Sequence, residues 1–419
     1  MGGREHYAIP RALHAADALN LLMTDYWAGV GTRALAMAFP GKTSRSLAAR
    51  QHPEIPCRLV KSWNLDAFAW EAQLRRMTHD GGVTGRYRGY CEVGRRFGNA
   101  MVRHLRSNSC LPEFGVFFGY CTGSLEVMVY LKERGVACIV DQIDPCRVEY
   151  EMVRAEQVVW KGWEDLAFEI PDELYERHSL EWEIADRVVV NSEWSRQALI
   201  RQGVSPEKLA VIPLCYEADA EELKPEMLKF KATEHHTAET PLRVLFLGQV
   251  VLRKGIQYLV EAARLLQHEP VRFDIVGPIH ISEMAVSSAP SNVVFHGRAT
   301  RDQIGNWYRR ADVFVLPTLS DGFAITQIEA MANGLPVIAT SNCGAVVSDG
   351  VDGFLVAPRD PRALASAICR YLEKGELLDV QSQAARVKAG QFSLREVGAK
   401  LLDLATEIHP GASGRNSHA

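Results

Sequence analysis

The sequence lacks most of the features that would place it outside the ordinary globular enzymes. No apolar run approaches the ~18 residues a membrane span needs, and the most apolar stretches, such as Val244–Leu247, have strand length. The start as given, Met1-Gly2-Gly3-Arg4-Glu5-His6, has no apolar signal segment and lacks the Ser/Thr of a myristoylation site. The 9 cysteines form no CxxC pair, which argues against a disulfide framework and against a zinc site. His52, His79, His178 and His268 have no metal-ligand spacing, and no basic strip interleaved with aromatics points to nucleic acid. Internal repeats and low-complexity tracts are missing too. The expectation is a cytoplasmic protein without a metal site or a nucleic-acid partner.

What is present is ordinary in amount and uneven in distribution. With 419 residues, 47% apolar and 23% charged, the chain is long enough for two or three domains. The net charge of −4 hides a split: residues 1–110 hold 16 Lys+Arg against 8 Asp+Glu, a balance of +8, which leaves −12 for the remainder. A basic first quarter suits an anionic membrane surface or a phosphorylated substrate, and it is also what Arg-rich surface helices would give.

Short apolar, β-branched runs alternate with helical patterns, which reads as α/β with parallel sheets. Strands are expected at Phe114–Tyr120, Val136–Asp141, Arg187–Asn191 and Leu209–Leu214, then at Leu242–Gly248, Val271–Gly277, Asn292–His296, Asp312–Pro317 and Pro336–Thr340. The polar stretch between the two sets is a linker, so the chain divides into Rossmann-like domains over 1–215 and 242–395, joined by 216–241. Residues 396–410 are expected as a C-terminal helix returning toward the first domain, and 411–419 as a disordered tail. The segment from Asp25 to Ser109 is less legible. In it Tyr90, Val93, Phe97, Met101 and Leu105 recur at helical spacing among Arg95, Arg96, Arg103 and Arg106, a pattern that fits a helix lying on a bilayer or one docked on a core.

Two stretches carry chemistry. After the strand ending at Pro317 comes Ser320-Asp321-Gly322-Phe323-Ala324-Ile325, which opens a helix through Glu329 and Ala332. A helix N-terminus at the C-terminal edge of a parallel sheet suits a diphosphate, and Asp321 and Glu329 stand where they could bond hydroxyls on either side of it. An acid in such a loop can equally be a simple N-cap. The second stretch is Gly248-Gln249-Val250-Val251-Leu252-Arg253-Lys254-Gly255, where adjacent cations follow a strand and can neutralise a pyrophosphate leaving group.

These stretches, with Phe273-Asp274-Ile275-Val276-Gly277, Val294-Phe295-His296-Gly297, Ala311–Pro317, Asn333–Thr340 and Asp349–Val356, occur in an order that resembles one family. It is the large family of retaining, nucleotide-sugar-dependent glycosyltransferases with the GT-B fold, the family-four or group 1 enzymes. The likeness covers residues ~180–375, including Glu183–Val188, Asn191-Ser192 and Val211-Ile212-Pro213. It implies two Rossmann-like domains with a cleft between them, an acceptor-side domain first and a nucleotide-sugar domain second.

The resemblance also implies roles. Glu329 matches the second acid of the family's E-x7-E motif, which holds the ribose, and Asp321 stands at the first, near the anomeric centre, where Glu is usual. Gly322, Phe323, Ala324 and Ile325 would lie against sugar and phosphates. Lys254 matches the phosphate-binding lysine. The Arg that commonly follows Gly248 is Gln249 here, so Arg253 is the candidate second cation, and Gly297-Arg298 would meet the base. On the acceptor side, Gly2-Gly3 looks like the family's glycine loop, with the strand that precedes it in relatives expected to be missing from the chain as given. Asp141-Gln142 ends a strand where relatives place an acceptor or catalytic loop.

The implied activity is metal-independent transfer of a hexose, with retention, from a UDP- or GDP-sugar to an acceptor hydroxyl, in glycan, glycolipid or exopolysaccharide assembly. The acceptor would be a sugar, a lipid-linked molecule or a small molecule, and no cofactor beyond the co-substrate is expected. A peripheral place at the inner face of an anionic membrane would suit the basic first quarter. The rival readings are a non-catalytic nucleotide-sugar-binding or scaffold subunit, and another GT-B enzyme such as a nucleotide-sugar epimerase or a phosphorylase.

Overall fold

A computed structural model describes residues 7–29, 50–107, 115–164, 169–217 and 236–409. Gly2 and Gly3, most of the proposed linker and the tail from 411 onward lie outside the described residues, and so does the expectation about a strand before Gly2. Among the described residues no helix is long and apolar enough to cross a membrane.

The first half opens with α1 (Ala8–Ala15), then β1 (Leu22–Thr24) and β2 (Val60–Ser62), which pair in parallel as a small sheet of their own. Next comes α2 (Asn64–Ser107), which is two helical arms. At Gly82 the backbone takes φ 57 and ψ −138, a conformation open to glycine and strained for other residues. The chain turns back there, so that Gly89 and Gly85 sit against Leu74 and Met77 of the first arm. On the second arm Phe97, Met101 and Leu105 are buried in the domain core and Val93 packs against it, while Arg95 and Arg96 pair with Glu92 at the surface. Of the two readings open to this helix, the structure shows docking on the core.

The main sheet of this half is built from β3 (Val116–Tyr120), β4 (Ala137–Gln142), β5 (Arg187–Val190) and β6 (Leu209–Val211), all parallel and in chain order. Helices α3 (Leu125–Lys132), α4 (Arg147–Val159), α5 (Asp172–Ile184) and α6 (Glu193–Arg201) connect them. The strands read as unbroken apolar runs because both faces are covered. Cys138, Val140, Val188 and Val190 point into the core shared with α2, α3 and α5, while the alternate residues Ile139 and Val189 point into a second one. β3 is an edge strand, and a cavity of about 1260 Å³ lies between it and β1, lined largely by apolar groups such as Phe97, Phe117 and Phe118.

The second half is a six-stranded parallel sheet in the order β12-β11-β10-β7-β8-β9. In chain order its strands are β7 (Leu242–Leu247), β8 (Val271–Val276), β9 (Val293–Gly297), β10 (Val313–Leu316), β11 (Val337–Thr340) and β12 (Gly353–Val356). Its helices are α7 (Ile256–Leu265), α8 (Glu283–Ser287), α9 (Arg301–Arg310), α10 (Ile325–Ala332), α11 (Pro361–Glu373) and α12 (Glu376–Ala389). The nine expected strands are all present, and β1, β2 and β12 are additions. The strand order reverses between β7 and β10, and loops leaving adjacent strands in opposite directions open a crevice at that point. The last described helix, α13 (Leu394–Ile408), lies on the first half. Val397, Leu401 and Leu404 meet Ala8, Ile9, Ile139 and Val189, closing the second face of the smaller sheet.

Candidate functional site

The two chemistry-bearing stretches meet at the switch point of the larger sheet. β7 leads through Gly248 into a 3₁₀ turn, Leu252–Lys254, and then into α7. Gly255 ends the turn with φ 74, and a Cβ there would stand 1.9 Å from the Pro317 carbonyl oxygen. Only glycine fits, and its close approach presses Arg253 and Lys254 against the loop after β10. The Leu319 N–H donates to the Arg253 carbonyl (2.9 Å), and the Thr318 hydroxyl donates to the same oxygen (3.1 Å). The backbone therefore locks the two loops together before any side chain contributes.

The side chains form a compact charged cluster. Lys254 Nζ donates to Asp321 Oδ2, and Arg253 Nη1 lies 3.7 Å from Asp321 Oδ1. Arg253 also donates to the Ser320 carbonyl (3.0 Å) and stands 3.5 Å from Glu149, a residue of α4 in the first domain. Ser320 Oγ donates to Glu149 Oε2 (2.8 Å) and accepts from Trp194 Nε1 (3.0 Å), so the cluster spans the domain boundary. Burial acts to lower the Arg253 guanidinium, but Glu149, Asp321 and Asp144 together hold it above its ordinary value. Burial pushes the Glu149 carboxyl up to about 7, with Asp144 and Asp321 adding to the rise and Arg253 and Ser320 opposing it.

The remaining candidates separate into three groups. Glu329, on α10, lies half-buried and accepts a bond from the Tyr308 hydroxyl of α9 (2.8 Å). Gly248 donates to the Val276 carbonyl (3.0 Å), Gln249 is exposed at the strand end, and Gly297 has φ 71 beside the exposed Arg298. Along the opening of α10 the structure records protein contacts. A Cβ on Gly322 would stand 2.1 Å from the Ile143 carbonyl and 2.8 Å from Asn191 Nδ2, so its close approach is to the first domain. Phe323 is buried near Phe392, and Ala324 N–H donates to the Cys343 carbonyl (3.0 Å). That leaves Ile325 to open α10, whose first turn carries the N–H groups and positive dipole end an anion would meet.

Asp141 and Gln142 are both buried in β4. Gln142 donates to Asp144 Oδ1 (3.0 Å) and accepts from Trp182 Nε1 (3.2 Å), a set of bonds internal to the first domain. The two residues that follow do reach the cluster: the Ile143 carbonyl faces Gly322, and the Asp144 charge acts on Glu149 and Arg253.

Residues 241–374 match the family model described as glycosyl transferases group 1. The match takes in most of the second domain, which is thus similar to the group 1 glycosyltransferases. Among curated proteins, the D-inositol 3-phosphate glycosyltransferase of Streptosporangium roseum is 28% identical over 258 residues, 56% of this chain and 57% of that one. The protein of the same description from Geodermatophilus obscurus is 32% identical over 228 residues, 50% of each chain. The chain thus spans about half the length of the curated relatives it matches. Among solved structures, Anabaena HepE in complex with UDP superposes with a TM-score of 0.55 at 15% identity, over 93% of this chain and 100% of that one. Sucrose-phosphate synthase from Thermosynechococcus elongatus gives 0.54 at 22% identity, over 77% and 79%. These likenesses establish the GT-B fold for the chain.

Within that fold the charged cluster occupies the cleft side of the second domain, facing the first domain. Local pattern marks Arg253, Lys254, Asp321 and Glu329, and leaves unmarked the groups that reach them from other elements. Glu149, Asp144 and Tyr87 come from the first domain, and Tyr308 comes from α9. The available signal was the pair Glu149 and Glu156, seven residues apart on one face of an otherwise unremarked helix.

Proposed function

We propose that the protein transfers a hexose from a UDP- or GDP-sugar to an acceptor hydroxyl with retention, in the assembly of a glycan, glycolipid or exopolysaccharide. The observation that carries this reading is the convergence of Arg253, Lys254, Asp321 and the first turn of α10 at the switch point. A departing nucleoside diphosphate gathers negative charge on its oxygens, and two fixed cations beside a helix N-terminus offset that charge. The UDP bound by HepE and the glycosyltransferase names of the curated relatives support a nucleotide-sugar donor. No cofactor is needed beyond that co-substrate.

In this reading the diphosphate settles beside Arg253 and Lys254 and frees Asp321 to bond the hexose near its anomeric carbon. Glu329 holds the ribose. The acceptor oxygen attacks the anomeric carbon on the face from which the diphosphate leaves. The bond from that carbon to the phosphate oxygen breaks, the new glycosidic bond forms, and the acceptor proton passes to a phosphate oxygen. Retention and metal independence rest on the sequence likeness, with Arg253 and Lys254 supplying the positive charge. Turnover in excess EDTA should therefore match turnover without it. The acceptor would be a sugar, a lipid-linked molecule or a small molecule, and a cytoplasmic place with peripheral contact to an anionic membrane would suit the basic first quarter.

A thermal-shift panel of UDP, GDP, ADP and their sugars tests the donor site. One nucleotide should raise Tm, and Glu329→Ala should abolish the rise. The absence of a shift with every member of the panel would overturn the reading.

A further inference from the structure

Helix α4 belongs to the first domain by chain order, yet its acidic face serves the second. Glu156 accepts from Gln257 Nε2 (3.1 Å), the Tyr258 hydroxyl (2.9 Å) and Arg359 Nε (2.5 Å), and just beyond the helix Glu164 accepts from the Leu252 N–H (2.5 Å). Glu156 is 2% exposed, and three partners fix it. Glu149 is held differently. Its side chain is 21% exposed, its ion pair with Arg253 is long at 3.5 Å, and its one short bond among the described residues is to a neutral hydroxyl, that of Ser320. One acid is a fixed joint, and the other is a loose counterion on a cation that the proposed reaction requires.

We propose that Glu149 is a displaceable counterion, holding Arg253 across the domain cleft until the diphosphate of a nucleotide sugar takes its place. This rests on the donor-site reading above. The groups facing Arg253 and Glu149 come from every element packed there: Asp144 from the loop before α4, Tyr87 from α2, Asp321 and Ser320 from the loop before α10, and Lys254 through Asp321. Three carboxylates already surround two cations. A diphosphate brings further negative charge, and like charge favours the protonated form of a carboxyl group. Glu149, raised by burial to about 7, then takes up a proton as the donor binds. The sign follows by linkage: donor affinity is greatest where Glu149 is already protonated and falls as pH rises through about 7. A sugar diphosphate has no group of its own titrating in that range.

The test is calorimetric titration of the full chain with UDP-glucose and with GDP-mannose, in buffers of differing ionisation enthalpy. For whichever ligand binds, wild-type affinity should fall about tenfold between pH 6 and pH 8.5, with net proton uptake greatest just above pH 7, where the affinity falls. Glu149→Gln keeps the side-chain shape, and it should show no uptake and bind about tenfold more tightly than wild type at pH 8.5. Ser320→Ala removes a bond that favours the charged carboxylate, so the fall in affinity should move to higher pH. This second variant decides the matter if the first does not fold. Binding weakened by Glu149→Gln, or a pH profile unchanged in both variants, would overturn the counterion role while leaving the donor site standing. Failure of either sugar nucleotide, and of every nucleotide in the thermal panel, to bind wild type would overturn the donor reading and this proposal with it.

Discussion

The two domains solve the same folding problem by different means. In the second, six parallel strands carry near-continuous apolar runs, and local rules account for nearly every turn that shapes the site. In the first, the described residues form a main sheet of four strands with β3 at its edge, and a cavity of about 1260 Å³ separates β3 from β1. Of the five described non-glycine residues with positive φ, namely Tyr7, Asp17, Thr122, Cys146 and Arg359, only Arg359 falls in the second domain. Thr122 and Cys146 flank the same buried imidazole: Thr122 Oγ1 is 2.8 Å from His178 Nε2, and Cys146 Sγ is 3.3 Å from His178 Nδ1. Residues held in such backbone regions persist only where the surroundings over-determine them. The lesson is that the second domain is specified by its strands and glycines, while the first depends on long-range polar bonds.

The largest expected effect on turnover separates chemistry from architecture. Lys254→Ala removes the cation nearest Asp321 and should lower turnover by about 10²–10³, on the order of 3–4 kcal/mol. Release of nucleoside diphosphate in the presence of acceptor measures it, and hydrogen exchange of the first domain should be unaffected. A loss below tenfold would remove Lys254 from the leaving-group site and blur the division of labour between the domains.

The next effect runs the other way. Glu181 is fully buried in α5 and accepts from the N–H groups of Thr122 (2.7 Å), Ser124 (3.0 Å) and Leu125 (3.1 Å). It thereby caps α3 from across the domain and props the Thr122 turn. Glu181→Ala leaves buried donors unpaired, at about 1–3 kcal/mol. Denaturant unfolding should show that loss, with exchange protection falling in α3 and α5 and the nucleotide-induced rise in Tm retained. An equal loss of protection around β7 and β10 would show that the two domains unfold as one unit.

The same contrast explains what could be read in advance. The nine strands were visible because β-branched runs such as Arg187–Val190 and Val337–Thr340 are buried on both faces. β1 and β2 have three residues each, too few to show a period, and β12 is a four-residue strand that begins at a glycine. The cations and acids of the second domain stand close to glycines and strand ends, where pattern marks them. Glu149 lies 104 residues from Arg253 in the chain, and no local pattern carries such a pairing. Gly322 was legible as a place of close approach, but the partner recorded in the structure is Ile143 of the other domain.

The smallest effect belongs to the charge split. The arginines of the second arm of α2 give the first quarter much of its positive charge, and Arg95 and Arg96 both pair with Glu92 on the solvent side. Exposed pairs at helical spacing are worth a few tenths of a kcal/mol, because water screens them and the long side chains lose freedom in forming them. Glu92→Ala should therefore change stability by less than about 0.5 kcal/mol. Phe97→Ala, further along the same arm but on the buried face, should cost about 3–5 kcal/mol. Measured together by chemical unfolding, the two variants weigh the helix's charged face against its apolar one. If Glu92→Ala proved as costly as Phe97→Ala, the basic surface would be part of what holds the first domain together.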